Sequence, residues 1–333
     1  MNNEQTKTNL NFATVEDDLP LTKIWHRVMN ELFASISLFS LIMFMFFVAM
    51  IFFAGILVAS NGGVVYIILG LVCILIFIAV LVLKTAKKTR EQLRAADFAT
   101  ANGFYFLREQ KDPGFAGVIF SLGDTRRATC MIEGNYGKRE FKIFNYSYMQ
   151  GSGKNRSEYD KGVIMIKLPR RLPNVVFDSK ANNHFGISTL GTTFKSSEKF
   201  TLEGDFNKHF DVYAPQNYGL DVLYFITPEL MALMVDEASN YDIEVVDDNL
   251  FFYAPAFEFT KSQLANIFKL IRNIGGEFSE NTELYADERV GNRAMDYVSE
   301  PGRRLKRGVS WLSIAGIIIY LAIRILIEIV DNR

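Results

Sequence analysis

Hydrophobic positions along this chain follow three patterns, and each predicts a different kind of element. The first pattern is unbroken. The run LFASISLFSLIMFMFFVAMIFFAGILVAS, 32–60, contains no charged residue and exceeds the roughly 20 apolar residues that cross a bilayer as a helix. It is predicted to be a transmembrane helix, and it is too long and begins too late for the apolar part of a signal peptide. A second run, VVYIILGLVCILIFIAVLVL, 64–83, follows after Asn61-Gly62-Gly63, a turn short enough to predict an antiparallel helix hairpin. A third predicted span, 309–330, contains WLSIAGIIIYLAIRILIEIV, with Trp311 placed as an interfacial anchor. Arg324 and Glu328 interrupt it. Arg324 lies close enough to the helix end for its stem to snorkel, with Glu328 as its i+4 partner; a buried charge lining a polar path is the alternative.

The second pattern has the helical period. Residues 1–19 are polar and predict a disordered tail. From Pro20, residues 20–31 place Leu21, Ile24, Trp25 and Val28 on one face, with Leu32 continuing it. This predicts an amphipathic helix that lies at the membrane surface or runs straight into the first span. Its His26 belongs to the interfacial or polar face. Residues 84–103 keep good helix formers up to Asn102-Gly103 and predict a helical stalk.

The third pattern is strand-like. FAGVIFSLG, RRATCMIEG, REFKIFNYSYMQ, KGVIMIKLP, PNVVFDSK and KFTLEG are short runs rich in aromatic and β-branched residues, so 104–204 is predicted to be β-rich. Residues 205–276 predict an α+β part. A strand over Asp211–Pro215 is followed by a Thr227-capped helix with Leu230, Met231, Met234, Val235 and Ala238 inward. A hairpin around Asp247-Asp248-Asn249 and a Thr260-capped helix stopping at Gly275 complete it. "VYAP" at 212–215 recurs as "FYAP" at 252–255, which admits a duplicated ββα unit. Residues 277–308 predict a linker with a basic run. The fold class is therefore a membrane protein: an N-terminal transmembrane hairpin, a further C-terminal span, and an α+β, β-rich cytoplasmic domain.

Charge adds orientation. Lys84, Lys87, Lys88, Arg90 and Arg94 follow the second span, Arg303, Arg304, Lys306 and Arg307 precede the third, and Lys23 and Arg27 precede the first. The positive-inside rule places all of these on the cytoplasmic side, and the predicted location is a bacterial plasma membrane, crossed several times. Of the two cysteines, Cys73 falls in a span and Cys130 stands alone in the soluble part, so no disulfide forms within that domain. A net charge of −1 gives no reason to expect a nucleic-acid partner.

Candidate chemistry is sparse. "GSGKN", 151–155, has the glycines and lysine of a phosphate loop, but Tyr148 replaces the first glycine, Asn155 replaces Ser or Thr, and no helix follows. It predicts a polar hairpin loop. Arg170 and Arg171 in "LPRRLP" either contact anionic headgroups or form a solvated bend. The soluble part has only His184 and His209, and it lacks a nucleophile motif, H-E-x-x-H and paired C-x-x-C. The one cluster of ligand-type residues is Glu203, Asp205, His209 and Asp211 in "LEGDFNKHFDVYAP". As a site it suits a metal-dependent hydrolase. As a fold element, Glu203 ends a strand, Asp205 caps one helical turn, and Phe206 and Phe210 enter the core at i and i+4; this second reading is the expected one. No catalytic, cofactor or metal residue is assigned.

The same stretch, with "DVLYFITPELMALM" and "YDIEVVDDNLFFYAP", resembles an uncharacterised bacterial membrane-protein family that pairs an N-terminal helix hairpin with a cytoplasmic β-rich domain. Some members are encoded near LemA-type membrane proteins. The resemblance covers the hairpin and about 115–253, and it rests on Leu202-Glu203, Phe206, Phe210, Val212, Tyr213 and Thr227-Pro228. It implies an architecture and no residue roles, and the third span departs from it. The expected function is a membrane-anchored binding or scaffold module for a protein partner or a second copy in an envelope assembly. A membrane-tethered enzyme or an accessory transporter subunit is the alternative.

Overall fold

The computed structural model describes residues 9–15, 19–35, 38–57, 63–183, 188–202, 204–290, 296–308, 318 and 320–324. The chain divides into two compact units, one built on 13–98 and 258–261, the other on 1–12, 99–257 and 262–333.

The first unit is helical. Helices α1 (Leu21–Ser35) and α2 (Leu38–Leu57) precede α3 (Gly63–Asn102), which runs unbroken through the predicted second span and stalk. Among the described residues one helix, Ile68–Asn102, is long and apolar enough to cross a membrane; the apolar stretch Met45–Gly55 is shorter. A Cβ on Gly70 would come within 2.4 Å of Ile51 Cγ2, so α2 and α3 touch where a glycine permits it. The apolar face expected of α1 is present: Ile24, Val28 and Leu32 are buried. In the structure this face packs on α3, where Ile24 and Val28 cluster with Val82, Ala86 and Leu93. Arg90 Nε also donates to Leu19 O at 2.9 Å. Of the third predicted span, only 318 and 320–324 are described; they are helical and exposed, and Trp311 and Glu328 lie outside the described residues.

The second unit is an antiparallel sheet. Its strands are β1 (Tyr105–Lys111), β2 (Asp124–Tyr136), β3 (Arg139–Gln150), β4 (Ser157–Ser179), β5 (Lys199–Phe200), β6 (Phe210–Tyr213) and β7 (Asp242–Ala254). They lie in the order β1-β2-β3-β4-β6-β5, with β7 also paired to β4. Gly137 and Lys138, both at positive φ, make the two-residue turn that joins β2 to β3 in the twist-compatible sense. Helices α4 (Phe206–His209), α5 (Gly219–Phe225), α6 (Pro228–Ala238), α7 (Lys261–Thr282) and α8 (Glu300–Arg303) complete the unit.

Strands β4 and β7 organise the sheet because both bend and continue. Four residues of β4 oppose one of β7 between the pairs Lys167↔Asn249 and Leu172↔Asp247, and Asp247 takes a φ of 52°. Tyr253 Oη reaches Glu244 Oε2 at 2.7 Å, although nine residues of straight strand span about 30 Å. The strand has doubled back. One face of the sheet carries Phe144, Tyr146, Tyr148, Val163, Met165, Val176, Val246, Phe251 and Tyr253, plugged by Ile119, Phe120 and Leu122. On the other face, Phe268 of α7 packs against Phe104, Phe141 and Tyr136 at ring separations of 5.1–5.8 Å, with Phe104 also contacting Phe141 at 5.0 Å.

Several sequence expectations are corrected by this arrangement. FAGVIFSLG is no strand: Val118–Ser121 is a 3₁₀ turn that fills the core. KGVIMIKLP and PNVVFDSK are one strand, because Pro169 and Pro173 sit where β4 loses regular pairing and its amide donors are not needed. The Asp247 hairpin is instead a bend within the continuous strand β7, opposite the surplus residues of β4, so no ββα repeat is formed there. Among the described residues, KFTLEG contributes only Lys199–Phe200 to the sheet. Gly275 does not stop α7; its Cβ position lies 2.7 Å from Ile166 Cδ1, which makes it a close-approach site against β4. The tail over 1–19 is anchored in part, since Asn11 and the buried Asn102 exchange two hydrogen bonds. The stretch 277–308 is not a simple linker: α7 runs to Thr282, Leu305 N donates to Asn174, and Phe194 bridges Arg307.

Candidate functional site

The corner at 202–215 forms as its aromatic spacing requires. Phe206 and Phe210 are buried and stack at 5.0 Å, one on α4 and the other opening β6. Asp205 holds the N-cap position of α4 but makes no capping bond; it pairs with Lys208 at 2.7 Å. Asp211 accepts from Lys180 at 3.1 Å and Lys199 at 2.9 Å. His209 is half-buried, and its carbonyl accepts from Lys180 N. Glu203 and His184 lie outside the described residues. Asp205 and Asp211 are thus directed to lysines, and among the described residues no three His, Cys, Asp or Glu side chains gather as a metal site would require. GSGKN lies in the loop between β3 and β4 that its composition predicts, with Gly151 and Gly153 at positive φ.

Sequence reading missed a buried carboxyl pair on the sheet. Asp178 of β4 opposes Asp211 of β6, and Asp242 opens β7 beside the Phe177↔Ile243 pair. Asp178 accepts from Ser188 Oγ at 2.9 Å, while Asp242 accepts from Thr189 Oγ1 at 2.7 Å and Ser179 N at 3.0 Å. Burial, reinforced by Asp242, pushes Asp178 up to about 7. Burial also pushes Lys161 down, against the pull of the two carboxyls. Farther in, Glu244 accepts from Tyr253 Oη, Val118 N and Asn174 Nδ2, and burial raises it despite those bonds. Gly117 makes this approach possible, since a Cβ there would lie 2.3 Å from Tyr253 Oη. These groups hold the plug and the 188–190 segment on the sheet.

An open cleft of about 580 Å³ is a better candidate for binding. It lies between α5 and the segment after α7, lined by Leu220, Asp221, Tyr224, Leu284, Tyr285 and Arg289 among others. Its floor is fixed by Arg289, which donates to Asp221 (3.0 and 3.2 Å), Asp287 (3.1 Å) and Asn217 O, and stacks 3.9 Å over the Tyr218 ring. Tyr285 Oη donates to Asp221 at 2.8 Å, and Tyr218 Oη to Asp287 at 2.8 Å. Burial works to raise Asp287, but amide bonds from Ser299 and Arg289, with the Tyr218 hydroxyl and the guanidinium, hold it below the usual range. The rim is apolar: Leu220 is 83% exposed, Leu284 82% and Tyr224 52%. In sequence these residues look like core positions, and the cleft joins segments about 60 residues apart.

No family model matches the chain, and no curated protein sequence matches it. Among solved structures, the crystal structure of the mycobacterial trehalose monomycolate transport factor A, TtfA, aligns at 12% identity and a TM-score of 0.41. The alignment covers 58% of this chain and 94% of that one.

Proposed function

We propose that the chain is a membrane-anchored binding module: an α2–α3 hairpin holds it in a bacterial plasma membrane, and its β-rich domain, on the cytoplasmic side, docks a segment of another protein in the α5 cleft. The anchor is supported by the apolar length of α3 and by the Gly70–Ile51 contact. Docking is supported above all by Leu220 and Leu284, two leucines left more than four-fifths exposed on either side of a preformed cleft. The occupant that fits is a protein segment with aliphatic side chains to cover both leucines. The hydrolase alternative loses support because Asp205 and Asp211 are taken by lysines.

The test is site-specific photo-crosslinking in intact cells, with the probe at Leu284, at Leu220, or at Tyr105 on β1, which is also exposed. The docking reading expects one adduct shared by the two cleft positions, absent at Tyr105, and lost from Leu284 when Leu220→Asp is added. Equal labelling from Tyr105 would overturn it. An adduct at twice the chain mass would identify a second copy as the occupant instead of another protein.

A further inference from the structure

The helical unit carries a band of basic side chains where α1 lies along α3, and we propose that this band binds the anionic headgroups of phospholipids. The inference rests on the reading that α3 crosses the membrane. The apolar run of α3 ends at Leu83, and Lys84 follows directly. Three contacts set α1 and the residues before it antiparallel to α3: Thr14 Oγ1 to Asp97 O, Arg90 Nε to Leu19 O, and the Ile24–Val28 cluster with Ala86 and Val82. Each step up one helix is matched by a step down the other. Trp25 therefore comes level with Lys84 and Thr85, Arg27 with Leu83, and Phe33 with Phe77.

That ordering matches the layers of a bilayer surface. Phe33 and Phe77 are exposed at acyl-chain depth, and the exposed indole of Trp25 stands at the boundary that tryptophan prefers. Above it, Lys84 and Lys88 occupy one face of α3 a single turn apart, both exposed. Lys87 is matched by Glu258 at 3.1 Å and Glu91 at 4.0 Å, and Arg90 and Arg94 donate to the carbonyls of Leu19 and Glu258. Among the described residues, Lys84, Lys88 and Arg27 have no carboxylate partner. Two ammonium groups at i,i+4 repel each other in water, and a phosphate between them reverses the sign.

Each basic side chain near an anionic surface strengthens binding about fivefold, so two contribute roughly thirtyfold. The full chain in neutral detergent is titrated with phosphatidylglycerol or phosphatidylcholine, and bound lipid is counted by native mass spectrometry. Phosphatidylglycerol is expected to bind more tightly, with the preference lost in Lys84→Gln/Lys88→Gln and weakened by salt. Equal retention by that variant, or displacement of the lipid by inorganic phosphate at matched ionic strength, would overturn headgroup recognition. Trp311→Phe leaves Trp25 as the sole tryptophan, and its quenching by brominated phosphatidylcholine tests the membrane placement separately. Absence of quenching at any bromine depth would overturn the anchor itself; quenching without a phosphatidylglycerol preference would overturn only the headgroup proposal.

Discussion

Replacing Asp178 with Asn tests the buried carboxyl pair of the sheet quantitatively. Asp178 has its folded-state pKa raised from 3.8 to about 7, first by burial and then by Asp242. Between those values the unfolded chain has released this proton while the folded chain keeps it, so stability falls as pH rises through the window. Below about pH 4 both states are protonated, and above about pH 7 both are ionised, so the dependence flattens at each end. Three units at about 1.4 kcal/mol each set an upper bound on the order of 4 kcal/mol. Asparagine mimics the protonated acid: its Oδ1 can accept from Ser188, and its amide can donate to Asp242. Asp178→Asn should therefore match the parent near pH 4 and exceed it by about 2–4 kcal/mol at pH 8. Denaturant unfolding of the full chain in detergent, followed by circular dichroism at several pH values, measures the difference. Glu244, also raised by burial, adds a slope of the same sign to both proteins and cancels in the comparison. A difference that does not change with pH, or a variant less stable than the parent at pH 8, would refute the account.

Three further substitutions probe other parts of the fold. Gly162→Ala places a Cβ 2.7 Å from both Pro255 O and Phe257 Cε1; the backbone oxygen cannot move aside, so a loss of about 1–3 kcal/mol is expected from the denaturant midpoint. Thr227→Ala leaves Leu230 N without its 3.2 Å cap bond and should lower stability by about 1 kcal/mol in the same assay. Arg289→Gln removes the cation from Asp287, whose side chain is 0% exposed, and should cost about 2–4 kcal/mol at pH 7. Asp287 has a depressed folded-state pKa, so its contribution is present above the unfolded value and lost as pH falls through the folded one. The Arg289→Gln loss should therefore shrink in thermal melts at pH 3.

What the sequence made legible is mostly local. The apolar run of α3, the face of α1, the Thr227 cap and the paired phenylalanines of α4 and β6 depend on neighbours within a few turns, and their spacing is visible directly. The errors arose where one residue type serves two geometries. Pro169, Pro173 and the Asp247-Asp248-Asn249 run are ordinary turn signals, yet here they mark a bend that β4 and β7 cross together. Gly275 has the composition of a helix stop but serves as a contact against Ile166. Val118-Ile119-Phe120 is apolar enough for a strand, and only the distant Glu244 carboxylate that receives the Val118 amide fixes it as a turn. The cleft and the Asp178–Asp242 pair depend wholly on tertiary register, since neither assembles residues that are close in sequence.

Because β4 and β7 each run through the bend, the two halves of the sheet share covalent backbone instead of meeting at an interface. A break at 168–173 would leave each fragment with an unpaired strand end and an open apolar face, so neither piece is an autonomous folding module. The inner face must form in one step with the outer. In hydrogen exchange, amides on both sides of the bend should open together as a single unit, and a split-protein complementation pair cut at this position should regain structure only when both fragments are present.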